Sequence, residues 1–214
     1  MKKFFILLIL FLPAFYAGAK KPKPTYKRVG IEYGSALKSP SDPLSLSGNL
    51  KGAHYIWRTK GGLSYGFVYH QFDLKGTSIA NSTKTTHLYK QETFSITGGI
   101  EMKGPPALSF ITFNPQLFHS FHGKGSYKYK KNGVENRTSD LIEGGVALSG
   151  FEFPIYFDFQ TLYFGGKYCL FNNSGPKHIN YDSGGPDKIK INHAASFFIG
   201  WNFGGKKKVK GIFF

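Results

Sequence analysis

Cysteine is almost missing from this chain: Cys169 is the only one in 214 residues, so no disulfide can form within it. The Ala-, Glu- and Leu-rich runs that favour helices are missing too. Beyond residue 19 no apolar stretch approaches the roughly 20 residues that a membrane-spanning helix needs. These absences exclude a disulfide-stapled secreted scaffold, and they argue against a helical bundle or a helical membrane protein. Acidic residues are few as well, 12 against 28 Lys and Arg, for a formal net charge of +16.

The chain is instead rich in aromatics and glycine, with 22 Phe, 13 Tyr and 27 Gly against two Met. Aromatic side chains suit pleated, half-buried surfaces, and glycine serves turns and tight packing, so the composition favours β-structure. The first 19 residues read as a signal peptide. Lys2 and Lys3 form a positive start, residues 4–12 are unbroken apolar sequence, and Ala17-Gly18-Ala19 is a small-x-small cleavage pattern. The mature chain is expected to begin near Lys20. An exported protein of this size with no disulfide needs another source of stability, and a barrel closed on itself in lipid supplies one.

Period-two alternation recurs along the mature chain. Val29, Ile31 and Tyr33 share one face, as do Ala53, Tyr55 and Trp57, and Leu63, Tyr65, Phe67 and Tyr69. The pattern returns in Phe94, Ile96, Ile100 and Met102, in Ile155, Phe157, Phe159 and Tyr163, and in Ala195, Phe197, Ile199, Trp201 and Phe203. Residues 107–119, interrupted by Asn114-Pro115, and residues 140–151 read less cleanly but remain better strands than helices. The connections alternate in length. Residues 38–47, 75–85, 120–139 and 172–189 are predicted as long loops, and 59–62, 103–106 and 152–154 as short turns. Long loops on one side and short turns on the other are the pattern of an outer-membrane barrel.

The fold class expected is therefore all-β: an eight-stranded antiparallel up-and-down transmembrane β-barrel over residues 20–203. Residues 204–214 are left as a short basic tail or the end of the last strand. The sequence resembles the small eight-stranded outer-membrane barrels of the OmpA/OmpX type over residues 25–203. The run Ala195-Ser196-Phe197-Phe198-Ile199-Gly200-Trp201-Asn202-Phe203 is similar to the closing-strand signal that the barrel-assembly machinery reads. The resemblance implies insertion into the outer membrane of a Gram-negative bacterium.

Three groups of residues follow from this arrangement. Arg28, Glu32, His54, Arg58, His70, Glu101, Glu143 and Asp158 lie on predicted inward faces, where they are expected to pair and plug the interior, because an unpaired charge away from water is costly. A gated pore or proton path is the alternative. Lys124, Lys128, Lys130, Lys131 and Arg137 form a basic patch in the third long loop, suited to anionic surface components such as lipopolysaccharide phosphates. Tyr26, Trp57, Tyr65, Trp201 and Phe203 are expected to form an interfacial aromatic girdle near the short turns, with Tyr69, Tyr89, Phe118, Tyr163 and Tyr168 near the long loops.

No catalytic residue, metal site or cofactor is singled out. His119 and His122 lie three apart, which on a regular strand puts them on opposite faces, and His87 and His178 sit on or beside neighbouring loops. The His-x-Ser pair of lipid A deacylase barrels does not occur. The function expected is a non-catalytic barrel, with outer-membrane lipid as its surroundings, a monomer favoured and nucleic acid a poor partner. A lipid-modifying acyl hydrolase or transferase using His119, Ser120 and His122, and a soluble secreted β-sandwich, remain alternatives.

Overall fold

The structure, a computed structural model, describes residues 24–37, 46–59, 61–80, 83–132, 134–141, 147–159, 161–174 and 191–204. The predicted signal peptide, the predicted tail beyond Gly204, Glu143 and His178 lie outside the described residues. Eight strands close into a ring: β1 (Pro24–Leu37), β2 (Ser47–Thr59), β3 (Leu63–Ala80), β4 (Thr83–Ile100), β7 (Gln116–Lys131), β9 (Ala147–Phe159), β10 (Leu162–Ser174) and β11 (His193–Phe203). Each pairs antiparallel with its neighbours in chain order. Pairing of β1 with β11 and of β9 with β7 completes the circle. Among the described residues all strands belong to one sheet that closes on itself, so the sandwich alternative is set aside in favour of an eight-stranded antiparallel barrel.

Three shorter strands modify the ring. β5 (Met102–Lys103) and β6 (Ile111–Phe113) form a small hairpin around a 3₁₀ turn at Pro106–Leu108. β6 then pairs with the lower part of β9 while β7 pairs with its upper part, so β6 and β7 are one barrel strand broken at Asn114-Pro115. β8 (Val134–Leu141) returns beside β7.

The predicted turn at 152–154 is corrected: these residues lie inside β9, and the chain reverses between Phe159 and Leu162, which pair with each other. A proline inside a strand is tolerated only where its missing N–H is not needed. Pro154 sits opposite the break at Asn114-Pro115, and its carbonyl accepts the Asn114 N–H at 3.0 Å. Two predicted loops are corrected as well. Residues 75–85 are mostly strand, with β3 and β4 each 18 residues long, and residues 120–139 are mostly β7 and β8. Together the outer parts of β3, β4, β7 and β8 extend the barrel as a four-stranded antiparallel sheet.

The two faces of the strands exchange character along their length. On β3 the outward side chains Leu63, Tyr65, Phe67 and Tyr69 give way to Gln71, Asp73, Lys75 and Thr77, while the inward Ser64, Gly66, Val68 and His70 give way to Phe72 and Leu74. On β4 the outward Ile100, Ile96 and Phe94 give way to Glu92 and Lys90. The lower stretch is apolar outside, as lipid requires, and holds the buried charges inside together with Ile56, Val68, Tyr156 and Phe198. The upper stretch is mostly polar outside, as water requires, and buries Phe72, Leu74, Tyr89 and Tyr127 inside. The height at which the exchange occurs marks the edge of the apolar belt. On β9 that belt runs from Phe159 to Phe151, about 26 Å along the strand at 3.3 Å per residue.

Candidate functional site

The interior is layered. Nearest the short turns, Arg28 on β1 reaches across the barrel to β9, placing Nη2 at 2.7 and 2.9 Å from the two carboxylate oxygens of Asp158. The same Nη2 lies 3.4 Å from Glu101 Oε1, and Arg58 Nε is 2.8 Å from Glu101 Oε2. Tyr26 donates to Glu101 at 2.9 Å and accepts from Arg58. Thr112 donates to Asp158 at 3.0 Å, and the Arg28 guanidinium lies 4.0 Å from the ring centre of Tyr156. Two guanidinium groups face two carboxylates, so this layer balances its own charge, the condition under which buried ions are tolerated.

A second layer sits above it. Lys167 Nζ lies 2.7 Å from Glu32 Oε2 and 3.1 Å from Glu152 Oε1. His70 Nε2 is 3.1 Å from Glu32 and 3.2 Å from Glu152, so one ring bridges both carboxylates. His54 Nε2 and the Tyr163 hydroxyl, 2.6 Å apart, connect this layer to the aromatic group formed by Tyr156, Tyr163 and Phe198. Gly30 and Gly200 leave the space that the Tyr163 hydroxyl occupies: a Cβ at either would collide with it.

The third layer is apolar. Leu50, Phe72, Leu74, Phe118, Leu148, Cys169 and Phe171 form one buried cluster on the loop side of His70. The rings of Phe72, Phe118 and Phe171 lie 6.0, 5.9 and 6.3 Å from the His70 ring.

Of the predicted inward charges, the structure brings Arg28, Arg58, Glu101 and Asp158 into one group and Glu32 and His70 into another, and it buries His54 between them. Glu152, Lys167 and Tyr163 were missed as inward-facing partners. The signal was present: Glu152, Pro154, Tyr156 and Asp158 keep one frame against Phe151, Phe153, Ile155, Phe157 and Phe159, an alternation that runs unbroken through the proline. The turn assigned at 152–154 hid it.

The girdle prediction is corrected at four positions. Tyr26, Tyr89, Phe118 and Tyr163 are buried inside the barrel. Tyr26 shares the frame of Arg28 and Glu32, which fixes its side. Tyr163 lies one residue into β10, at the short-turn end. The outward aromatics near that end are Trp57, Tyr65, Trp201 and Phe203, with Trp57 and Tyr65 stacked at 5.7 Å. Tyr168 is exposed and Tyr69 half-buried.

The basic patch is corrected too. Lys124, Lys128 and Lys130 lie on the outward frame of β7, whereas Lys131 lies in the opposite frame, shared with Tyr127. Arg137, on β8, stands opposite Tyr129 of β7 in the strand register. Lys75, Lys84 and Lys90, on the neighbouring strands, join the outward frame through the register. A bulge between Phe94 and Ser95 sets His122 opposite Phe94 and Ser120 opposite Ser95, with Phe121 as the extra residue. His119, Phe121 and His122 are consequently all exposed, where a regular strand would have separated the two histidines. No cluster of three metal-ligating side chains occurs among the described residues.

The closed ring of eight antiparallel strands, apolar outside its lower stretch, decides the architecture. It is that of the small eight-stranded outer-membrane β-barrels. No family model matches the chain, and no characterised relative matches its sequence. Among solved structures it is similar to neisserial surface protein A, at 10% identity and a TM-score of 0.46 over 83% of this chain and 94% of that one. It is also similar to Ail, the attachment invasion locus protein of Yersinia pestis, at 11% identity and a TM-score of 0.44 over 84% of this chain and 99% of that one. A complex of Ail with the heparin analogue sucrose octasulfate gives 11% identity and a TM-score of 0.44 over 83% and 98%.

Proposed function

We propose that this chain is exported by its first 19 residues, inserted by the barrel-assembly machinery, and resident in the outer membrane as a non-catalytic monomeric barrel. Its interior is closed, and its basic outer sheet contacts anionic components of the surface. The observation that carries this reading is the exchange of faces. An apolar belt interrupted by glycine on β4 and β10, bordered by Trp57, Tyr65, Trp201 and Phe203, suits lipid, and lysines replace it where the strands extend beyond.

Closure rests on two stacked features. The ionic layers set the buried charges against opposite charges, and Leu50, Phe72, Leu74, Phe118, Leu148 and Phe171 fill the interior on the loop side of His70, where an ion would have to shed its water. Outer-membrane fractionation with heat-modifiable gel migration tests the barrel, and planar-bilayer recording tests closure. A heat-modifiable chain with no unitary conductance is expected. Recovery as a detergent-free soluble monomer would overturn the first part, and steady channels the second.

The lipid-modifying alternative draws little from the residues that suggested it. Ser120 faces inward, its hydroxyl accepting the Leu148 N–H at 2.6 Å, while His119 and His122 face outward.

A further inference from the structure

The outward face of the extended sheet carries a lysine at every step of the strands above the apolar belt. Strand register aligns Gln71, Glu92 and Lys124 on the first step, and Asp73, Lys90 and Ser126 on the second. Lys75, Leu88 and Lys128 make the third step, Thr77, Thr86 and Lys130 the fourth, and Ile79 with Lys84 the fifth. Consecutive steps are two residues apart, about 7 Å, so the ladder extends about 27 Å along the strands. Six lysines stand on it. Asp73 lies 3.9 Å from Lys90 and Glu92 3.4 Å from Lys124, and the register with β8 sets Glu135 opposite Lys130 and Asp140 opposite Ser126, so the lysines outnumber the carboxylates beside them.

What lies directly beneath the ladder selects its partner. The step below Gln71 is Tyr69, Phe94 and His122, with ring centres 4.8 and 6.2 Å apart. Below that come Phe67 and Ile96, both exposed, with the bulged Phe121 ring 6.4 Å from Phe67. One continuous lateral face is therefore apolar in the belt and cationic for several steps above it, and it runs along the strands rather than across a crest. A phospholipid presents its anionic charge at one height only. A soluble polyanion has no apolar part to set against Phe67, Phe94, Ile96 and Phe121. A glycolipid with acyl chains below and phosphates or acidic sugars at successive heights above matches both halves.

We propose that this face docks a lipopolysaccharide molecule of the barrel's own leaflet, acyl chains against the Phe67–Phe94–Phe121 surface and anionic head and core groups along the lysines. The proposal rests on the outer-membrane reading above and specifies which anionic component the basic sheet meets.

The test uses the full mature chain in mixed vesicles, comparing enrichment around the barrel of lipopolysaccharide with a phosphorylated core, of phosphatidylglycerol at equal total charge, and of added soluble dextran sulfate. A variant with Lys75, Lys84, Lys90, Lys124, Lys128 and Lys130 changed to Ser is measured beside a Lys→Arg version, with heat-modifiability as the check on folding. If the sextuple variant does not fold, K75S/K90S/K128S replaces it. Lipopolysaccharide is expected to be enriched over phosphatidylglycerol, with the Ser variant at least about tenfold weaker, the Arg version unchanged, and the difference shrinking with salt. Equal enrichment of the two lipids, or full retention by the Ser variant, overturns the proposal. Should dextran sulfate bind the wild type while lipopolysaccharide gains nothing, the docking idea fails and the broader anion-contact reading survives. A heat-modifiable barrel that holds none of the three sinks both.

Discussion

Lys167 and Glu32 meet in the middle of the barrel with 2.7 Å between Nζ and Oε2, although 135 residues separate them along the chain. Both side chains are buried, and Glu152 and His70 lie beside them. Removing one member of a buried ionic group leaves the others uncompensated. Lys167→Met is therefore expected to cost about 3–5 kcal/mol, as measured by urea unfolding of the barrel from vesicles. Adding Glu32→Gln to it should recover part of that loss, because one of the two stranded carboxylates is then neutral. Additive losses in the double variant would mean that the two side chains do not act as a pair.

The Tyr163 hydroxyl occupies space that only glycine on β1 and β11 leaves open. A side chain at Gly30 would meet it and also the His54 ring at 2.8 Å, so the obstacles on that side are the ends of two side chains rather than backbone. Gly30→Val is expected to destabilise the barrel by about 1–3 kcal/mol by displacing Tyr163 from His54. The same substitution in a Tyr163→Ala background should cost markedly less. An undiminished cost there would place the clash elsewhere.

Much of this arrangement was legible in the sequence, and the failures arise where a strand leaves the belt or depends on its neighbours. Alternation fixes which residues share a face, and that held through most of the ring. It does not say which face is inward, because the sign depends on whether lipid or water lies outside. Phe72 and Leu74 sit in the same frame as Ser64 and His70, and they are buried because β3 has by then left the belt. Reading a long strand as one hydropathic unit ended it at Lys75 and turned its outer part into a loop. The break at Pro154 had the same effect on β9, since its tolerance depends on a second interruption 39 residues earlier at Pro115, which only pairing reveals. The lysine ladder was visible on β7 alone. Lys75, Lys84 and Lys90 join it through register between strands, which no single segment displays.

Outside the belt, His87 on β4 offers a pH dependence. Its Nδ1 lies 2.5 Å from the Tyr127 hydroxyl on β7, and burial lowers its pKa below the ordinary 6.5. A base whose folded pKa is depressed binds fewer protons folded than unfolded through the interval between the two values, so stability there rises with pH. The β4–β7 extension is thus expected to loosen as pH falls from the ordinary histidine value toward the depressed one. Amide exchange corrected for intrinsic rates should show less protection around Tyr89 and Tyr127 at about pH 5 than at about pH 7.5. His87→Gln should flatten that difference, and an unchanged slope in that variant would assign the loosening to another group.

The exchange of faces itself can be tested with one substitution placed at two heights. Phe197 on β11 is 81% exposed and lies within the belt, paired with Tyr33 and Gly166. Thr77 on β3 is also exposed but stands four rungs above it, beside Thr86. An arginine on the lipid side of a barrel strand costs about 2–4 kcal/mol near the bilayer middle and close to nothing in water. Phe197→Arg is accordingly expected to lower stability in vesicles by an amount in that range, and Thr77→Arg to leave it within about 0.5 kcal/mol of the wild type. Aromatic-to-charge replacement could also remove contacts between side chains, so Phe197→Ala serves as the reference, and only the excess of Arg over Ala counts. If the excess at Phe197 were no larger than the effect at Thr77, water rather than lipid would surround the belt, and the apolar lower face would require a protein partner instead.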